Sequence, residues 1–456
     1  MTMDSAVLFT TLEQRFALNR QQSKVLIIGL GATGFSVAEF LHDLGIRFAV
    51  VDSRDKPPLI DRLAEAMPDV PVFTGGFDQA ALDVATHLVV SPGVSLQEDA
   101  IHRAVALGVS IISDIDLFAC VADKPVVAIT GSNGKSTVTT MLGAMGNAAG
   151  VKTAIGGNLG TPALDLLRQD ADLYVLELSS FQLERTSQLN AKAATVLNVS
   201  PDHLDRHRNI ADYAAEKQRI FRGDGVMVLN ADDPVVLAMR DSGRHCLTFS
   251  VNRKADFWLD DVSGHLMRDE TPLLQRSELL LEGKHNVANA LAALALGTAA
   301  GLNDAAMCRA LKSFKGLDHR MQKVAESKGV SWVNDSKATN IGACIAALHG
   351  YERKVLLIAG GDAKGADMKE LVPAVTEKTK AVIVMGKDAG MIETVLTGCV
   401  PTYSAANMKE AVRIAASLAE PGDTVLLSPA CASLDQYKNY SDRGNKFAAA
   451  VRELAT

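Results

Sequence analysis

The sequence predicts an α/β protein of three domains, each built around a mostly parallel sheet. Short β-branched runs alternate with amphipathic stretches along most of the chain, as parallel strands covered by helices on both faces do. The alternation starts afresh twice, after loops near 113–124 and 313–320. A length of 456 residues suits three domains, and with 48% apolar residues each can bury its own core. The expected domains are therefore 1–115, 116–317 and 318–456.

The first series of strands runs through 24–29, 47–52, 86–91 and 108–112. The second runs through 125–130, 173–178, 194–198 and 225–230, and the third includes 354–359, 381–385 and 424–428. Ligands of open parallel sheets bind beyond the carboxyl ends of the strands. Gly29, Asp52, Ser91, Thr130, Glu177, Asn198, Gly360 and Ser428 fall at such ends. The linkers near 115 and 317 are expected to act as hinges that close the domains around substrate.

Composition removes several function classes. A net charge of −7 with no basic block argues against nucleic acid as a partner. The cysteines (Cys120, Cys246, Cys308, Cys344, Cys399, Cys431) are far apart and form no C-x-x-C pair, which is neither a zinc site nor a disulfide framework. Reduced thiols fit a cytoplasmic protein. The N-terminus shows no basic region followed by a long apolar run, and the apolar stretch 287–301 is too short to span a bilayer. The chain is expected to be cytoplasmic and monomeric, with no membrane partner.

Gly131-Ser132-Asn133-Gly134-Lys135-Ser136-Thr137 lies between a buried strand and a helix start. Glycines let backbone N–H groups turn onto phosphate, and the helix N-terminus adds partial positive charge. Lys135 would reach the terminal phosphates of ATP or GTP, and Ser136 would ligate Mg²⁺. The loop is a shortened form, G-x-x-G-K-S, because the usual first glycine position is Ile129.

Gly29-Leu30-Gly31-Ala32-Thr33-Gly34 follows the first strand and Asp52 ends the second, a dinucleotide fingerprint that suits NAD or another diphosphate-linked nucleoside. Glu177 ends an apolar strand, either as a Mg²⁺ ligand facing the phosphate loop or as a carboxylate capping the next helix. His203, in the polar loop 198–207, is either a metal ligand, with Mn²⁺ also possible, or a solvated loop histidine. On its own, Lys217 reads as a solvated helix lysine. Asn334 to Asn340, Gly360 to Gly365 and Ser428 to Asp435 each follow a third-series strand, and their lysines, glycines and hydroxyls suit capture of a carboxylate or phosphate.

Taken in order, the fingerprint, Thr-Gly-Ser-Asn-Gly-Lys-Ser-Thr, Glu-Leu-Ser-Ser-Phe-Gln-Leu-Glu, Gly-Lys-His-Asn-Val-Ala-Asn-Ala, Asn-Asp-Ser-Lys-Ala-Thr-Asn and Ser-Pro-Ala-Cys-Ala-Ser-Leu-Asp resemble the Mur ligase family over about residues 24–447. Residues 1–23 lie outside the resemblance. It implies a Rossmann-like domain for a UDP-sugar, a P-loop ATPase-like domain and a Rossmann-like domain for an amino acid, with UDP replacing NAD on the first fingerprint. The branch resembled adds D-glutamate to UDP-N-acetylmuramoyl-L-alanine, a cytoplasmic step of peptidoglycan precursor synthesis.

By that resemblance Gly31, Ala32, Thr33, Asp52, Ser53, Arg54 and Gly93 would hold the uridine and diphosphate. Asn158 would contact the diphosphate, and His203 the muramoyl-alanine end. Gly131, Ser132, Asn133, Gly134, Lys135, Ser136 and Thr137 would cradle ATP, with Asn286, Asn289, Arg320 and Asp335 on its adenine, ribose and phosphates. Ser136 and Glu177 would hold one Mg²⁺, and Glu177, His203 and Lys217 a second, with Lys217 carrying CO₂ as a carbamate. Lys337, Thr339, Lys364, Ser433, Leu434 and Tyr440 would form the D-glutamate cleft, Tyr440 standing where the family has phenylalanine. Other readings are another Mur-type or folate polyglutamate amide ligase, an NAD-dependent dehydrogenase, and a regulator that binds ATP without consuming it.

Overall fold

A computed structural model describes residues 5–203, 206–281 and 283–454. Its first sheet contains β1 (Val25–Ile28), β2 (Phe48–Asp52), β3 (Val72–Thr74), β4 (His87–Val90) and β5 (Ser110–Ile112), all parallel in the order β3-β2-β1-β4-β5. β1 and β4 are buried throughout, as apolar strands covered on both faces must be. Strand order reverses between them, which opens a crevice at their carboxyl ends. Gly34 packs there so closely that a Cβ would lie 1.9 Å from Gly29 O.

The second sheet contains β6 (Val126–Thr130), β7 (Thr153–Gly157), β8 (Leu173–Glu177), β9 (Ala193–Val196), β10 (Val226–Asn230), β11 (Cys246–Ser250), β12 (Phe257–Asp260), β13 (His265–Arg268) and β14 (Thr271–Gln275). Its order is β14-β13-β12-β11-β10-β9-β6-β8-β7. The parallel part matches the expectation, but β12, β13 and β14 form an antiparallel extension that the sequence rhythm did not reveal. Phe257 and Leu259 of β12 are buried while Trp258 and Asp260 are only half-buried. That one-sided alternation suits antiparallel strands rather than continuous apolar runs.

The third sheet contains β15 (Gln322–Ser327), β16 (Val330–Asn334), β17 (Val355–Ala359), β18 (Thr379–Val384), β19 (Thr402–Ser404) and β20 (Thr424–Leu427), in the order β15-β16-β20-β17-β18-β19. Only β15 runs antiparallel to its neighbour. β16, β20 and β17 are adjacent, so the three motif loops that follow them emerge at one edge of the sheet.

The junctions between sheets are unlike each other. Near 115 the chain is no exposed hinge: Ser113 caps the helix Asp114–Val121 in a reciprocal box with Asp116, and Ser113, Asp114, Ile115 and Asp116 are all buried. The helix Ser5–Phe16 packs on this segment with Leu8 and Leu12 fully buried, which gives part of the unassigned N-terminus a structural place. No helix among the described residues is long and apolar enough to cross a membrane.

Candidate active site

β6 is buried end to end and delivers Thr130 to the carboxyl edge of the central sheet. Gly134 then takes φ 85°, and a Cβ there would lie 2.4 Å from Asn289 Oδ1. Glycine is therefore required where the loop enters the helix Lys135–Ala148. Asn198 pins the loop from the next strand. It accepts from Asn133 N at 2.8 Å and donates to Asn133 O at 3.1 Å.

Lys135 folds back on its own loop, donating to Gly131 O at 2.8 Å and Ser132 O at 3.0 Å. Lys217 donates to the same Gly131 O at 3.0 Å and lies 4.3 Å from the Tyr213 ring centroid. It is 1% exposed, which corrects the reading of a solvated helix lysine. Burial, and then the charge of Lys135, pushes its ammonium well below its ordinary pKa, against the opposite pull of Asp202 and Glu177. A neutral amine is the form favoured in such a place.

Glu177 lies opposite Ile129 across the β6–β8 pairing and is 2% exposed. Its Oε1 accepts from Asn158 Nδ2 at 2.7 Å, while Oε2 is buried with no hydrogen-bond partner among the described residues. The helix-capping alternative fails, because Ser179 caps the helix Ser180–Leu183. An orphaned carboxylate oxygen in a buried site is costly unless a cation or donor meets it. Ser136 Oγ accepts from Arg320 Nη2 at 3.2 Å.

His203 sits in the left-handed region at φ 56°, with its ring 4.9 Å from that of Phe181. Burial, reinforced by Lys364, Lys135 and Lys217, brings its pKa down to about 4 against the pull of Asp202. The imidazole is thus neutral at pH 7, the form that ligates metals. Leu204 and Asp205 of the same loop lie outside the described residues.

A cavity of about 400 Å³ opens beside the phosphate loop, lined by Gly134, Thr137, Asn286, Asn289, Arg320 and Asp335 together with Leu317 and Met321. Asn289 Nδ2 donates to Asn286 Oδ1 at 3.3 Å. Burial raises Asp335 to about 7, against Ser428, whose hydroxyl donates to it at 2.9 Å, and against Arg320. Asn133, Gly134, Thr137, Asn286, Asn289, Arg320 and Asp335 of the predicted ATP residues, from two domains, therefore meet around one space, while Gly131, Ser132, Lys135 and Ser136 do not line it.

A second cavity of about 490 Å³ lies at the crevice of the first sheet, lined by Gly31, Ala32, Thr33, Asp52, Ser53, Arg54 and Gly93 and by Asn158 from the central domain. Asp52 is 2% exposed and already satisfied: Leu30 N donates to Oδ2 at 2.7 Å, and Arg54 donates to both oxygens. Burial works to raise its pKa, but Arg54 and the backbone bring it down to about 2. The carboxylate that the fingerprint would offer to a ribose hydroxyl is thus clasped by Arg54.

In the third domain Lys337 Nζ lies 3.8 Å from the Tyr440 ring centroid, and burial lowers its pKa to about 8. Thr339 N donates to Lys337 O at 2.8 Å, Ser433 is buried and Leu434 is exposed. Lys364 Nζ reaches across to Asp202 Oδ1 at 2.5 Å. Asn340 Nδ2 also donates to Asp202 Oδ2, at 3.0 Å, and to Asn133 Oδ1, at 3.2 Å. Asp202 and Asn340 lie inside segments that the sequence singled out, the polar loop 198–207 and the run Asn334 to Asn340, but were given no role of their own.

Family models agree along the chain. Residues 23–113 match a Mur ligase MurD-like N-terminal domain, 129–297 a Mur ligase middle domain, and 319–431 a Mur ligase glutamate ligase domain. The UDP-N-acetylmuramoylalanine--D-glutamate ligase of Methylococcus capsulatus is 56% identical over 95% of this chain and 95% of its own. That of Pseudomonas aeruginosa is 51% identical over 94% of this chain and 98% of its own. Among solved structures, a pseudomurein peptide ligase type C from Methanothermus fervidus shares the fold at TM-score 0.65 and 19% identity, covering 95% of this chain and 100% of its own. The UDP-N-acetylmuramate-alanine ligase of Thermotoga maritima does so at TM-score 0.61 and 18% identity, covering 94% and 99%. This chain belongs to the Mur ligase family, in the branch of the UDP-N-acetylmuramoylalanine--D-glutamate ligases.

Proposed function

We infer that the protein joins D-glutamate to UDP-N-acetylmuramoyl-L-alanine at the expense of ATP, a step of peptidoglycan precursor synthesis. The observation that carries the reading is the approach of Lys135, Glu177, His203 and Lys217 to one another, with Lys135 and Lys217 both on Gly131 O of the phosphate loop and Glu177 held by Asn158 of the UDP cavity. The same reading divides the chain at 115 and 317 into UDP-sugar, ATP and amino-acid domains, and takes the protein as a cytoplasmic monomer.

The L-alanyl carboxylate attacks the γ-phosphorus of ATP, and ADP leaves an acyl phosphate. The neutral amine of D-glutamate then adds to that carbonyl, and phosphate leaves the tetrahedral intermediate. In the first step two anions must meet, at a cost of about 4 kcal/mol for unit charges ~4 Å apart at an effective dielectric of ~20. Lys135, half-buried at the phosphate loop, offsets part of that repulsion. Gly131–Thr137 and the helix that follows hold the phosphates in line. Arg320 and Asp335, from the third domain, close the other side of the ATP cavity.

The donor set fits Mg²⁺. Glu177 offers a buried, unpartnered oxygen, Ser136 a hydroxyl and His203 a neutral imidazole. Among the described residues no three His, Cys, Asp or Glu side chains gather as a complete cation site. The remaining ligands would be substrate oxygens and a carbamate on Lys217, formed when the deprotonated amine, which burial favours, adds CO₂ and releases a proton. Bound there, two divalent ions would supply charge neutralisation of the phosphates.

The test is ADP release with each substrate withheld in turn. Turnover is expected only with UDP-N-acetylmuramoyl-L-alanine, D-glutamate, ATP and Mg²⁺ together. Equal rates with L-lysine in place of D-glutamate, or sustained ADP release beyond one per enzyme without any amino acid, would contradict the assignment.

A further inference from the structure

The loop Ser91-Pro92-Gly93-Val94 follows β4 and walls the cavity of the first sheet. Two arginines of the central domain hold it from outside. Arg185, whose side chain is fully buried, donates from Nη2 to Val94 O at 3.3 Å and from Nη1 to Val90 O and Ser91 O. Arg206 Nη2 donates to the same Val94 O at 3.3 Å. Among the described residues that line the cavity, neither arginine nor His203 is found.

Arg206 also reaches the other way, toward His203. Its backbone N–H donates to His203 O at 3.0 Å, and its guanidinium lies 4.6 Å from the centroid of the Phe181 ring. The same ring meets the His203 imidazole edge-on, at 4.9 Å, and stacks on His207 at 5.4 Å and 9°. His207 is fixed in turn: its Nε2 pairs with Ser180 Oγ at 3.0 Å, and its ring lies 5.1 Å from that of Tyr213. His203 needs such support, because at φ 56° its backbone is in a region that L side chains seldom adopt. An arginine suits the position, since its plane can lie on a ring while its edge donates to a carbonyl. Lysine, a point charge, cannot do both.

We propose that Arg206 is a positioning residue that ties His203 to the UDP loop. Through Val94 O it follows the loop, and through Phe181 and the His203 carbonyl it sets where the imidazole stands. A nucleoside diphosphate that seats the loop from the cavity side therefore shifts His203 without touching it. The inference rests on the first cavity being the UDP-sugar site. Arg206 acts through His203 and not on the reacting atoms.

The probe is UDP, which lacks the sugar and the alanyl end. Protein labelled with carbon-13 at histidine Cε1 is titrated with UDP, His203→Gln assigns the resonance, and calorimetry gives the UDP affinity. In wild type the His203 signal should shift and saturate along with UDP binding. Arg206→Met should lose most of that shift yet weaken UDP by no more than about 5-fold, because Arg185 keeps its own bond to Val94 O. Arg206→Lys should behave like Arg206→Met, since charge without the planar fork does not bridge ring and carbonyl. Phe181→Leu removes the ring between Arg206 and the imidazole and should also uncouple the signal; it carries the test if Arg206→Met does not fold. UDP binding that leaves the wild-type His203 signal unmoved, or a full shift in Arg206→Met, would overturn the proposal. No UDP binding to the wild type would instead overturn the reading of the cavity, and this inference with it.

Discussion

The two interdomain junctions are built from different materials. Between the first and second domains a single apolar cluster runs without a break, from Leu8, Leu12 and Ile27 through Ile115 and Phe118 to Leu164, Leu176 and Leu229. Polar contacts reinforce it: Ser36 Oγ donates to Asp165 at 2.6 Å, and Arg185 Nη1 donates to Val90 O and Ser91 O, each at 2.9 Å. The third domain keeps its apolar clusters to itself, all drawn from its own residues. It meets the central domain through Arg320 to Ser136, Asn340 to Asn133 and Asp202, and Lys364 to Asp202.

The difference assigns roles. A junction sealed by apolar burial fixes the distance between the UDP cavity and the phosphate loop, which suits a substrate that must span both. A junction made of a few polar contacts costs little to rearrange. Its contacts also use the side chains expected to meet ATP, metal and D-glutamate, so ligands must compete with them. The closing motion is therefore expected at 317 and not at 115.

Mutations in the sealed junction should have the largest effect on stability. Leu164→Ala removes a buried side chain from the shared cluster and should cost about 2–5 kcal/mol, melting the first two domains together in a calorimetric scan. Separate transitions for those domains in the wild type would break the comparison.

Asp114, buried in the same junction beneath Arg185, supplies a pH test. Burial raises its pKa to about 6 from 3.8, against Arg185. The unfolded chain then releases this proton at lower pH than the folded one, so stability falls as pH rises from about 4 to about 6 and is flat above. Asp114→Asn should abolish that slope, worth up to about 3 kcal/mol. Urea titrations from pH 4 to pH 7 measure it, and an unchanged slope would remove Asp114 from the account.

The polar junction should give the smallest change in stability. Asp202→Ala removes its buried bridge to Lys364 and the hydrogen bond from Asn340; opening of the junction lets the freed Lys364 ammonium regain water, so the cost should stay at about 1–2 kcal/mol, below that of Leu164→Ala. It should raise KM for D-glutamate and increase the radius of gyration measured by small-angle scattering. No change in either would mean that the bridge does not hold the third domain.

How much of this was legible in the sequence follows from how each feature is encoded. The parallel strands and the shortened phosphate loop are local: a buried β-branched run and a Gly-Lys-Ser turn announce themselves. The β12–β14 extension is short and half-exposed, so its alternation carries little signal. Lys217 looked solvated because its helix is amphipathic, and only packing against Tyr213 and the phosphate loop reveals its burial. Asp202 and Arg185 have roles defined by residues 94 to 162 positions away, and no periodicity records such pairs. The segment expected to hinge near 115 is sealed into the core, because a domain boundary in sequence need not be a gap in the core.

Pulsed electron paramagnetic resonance distances test the asymmetry most directly. Exposed labels would be introduced as Val84→Cys, Val262→Cys and Met391→Cys, one per domain, with the native accessible cysteines replaced. On addition of the UDP-substrate and a non-hydrolysable ATP analogue, the distance from 84 to 262 should stay fixed while that from 262 to 391 changes. A shift between 84 and 262 as large as that between 262 and 391 would contradict the account.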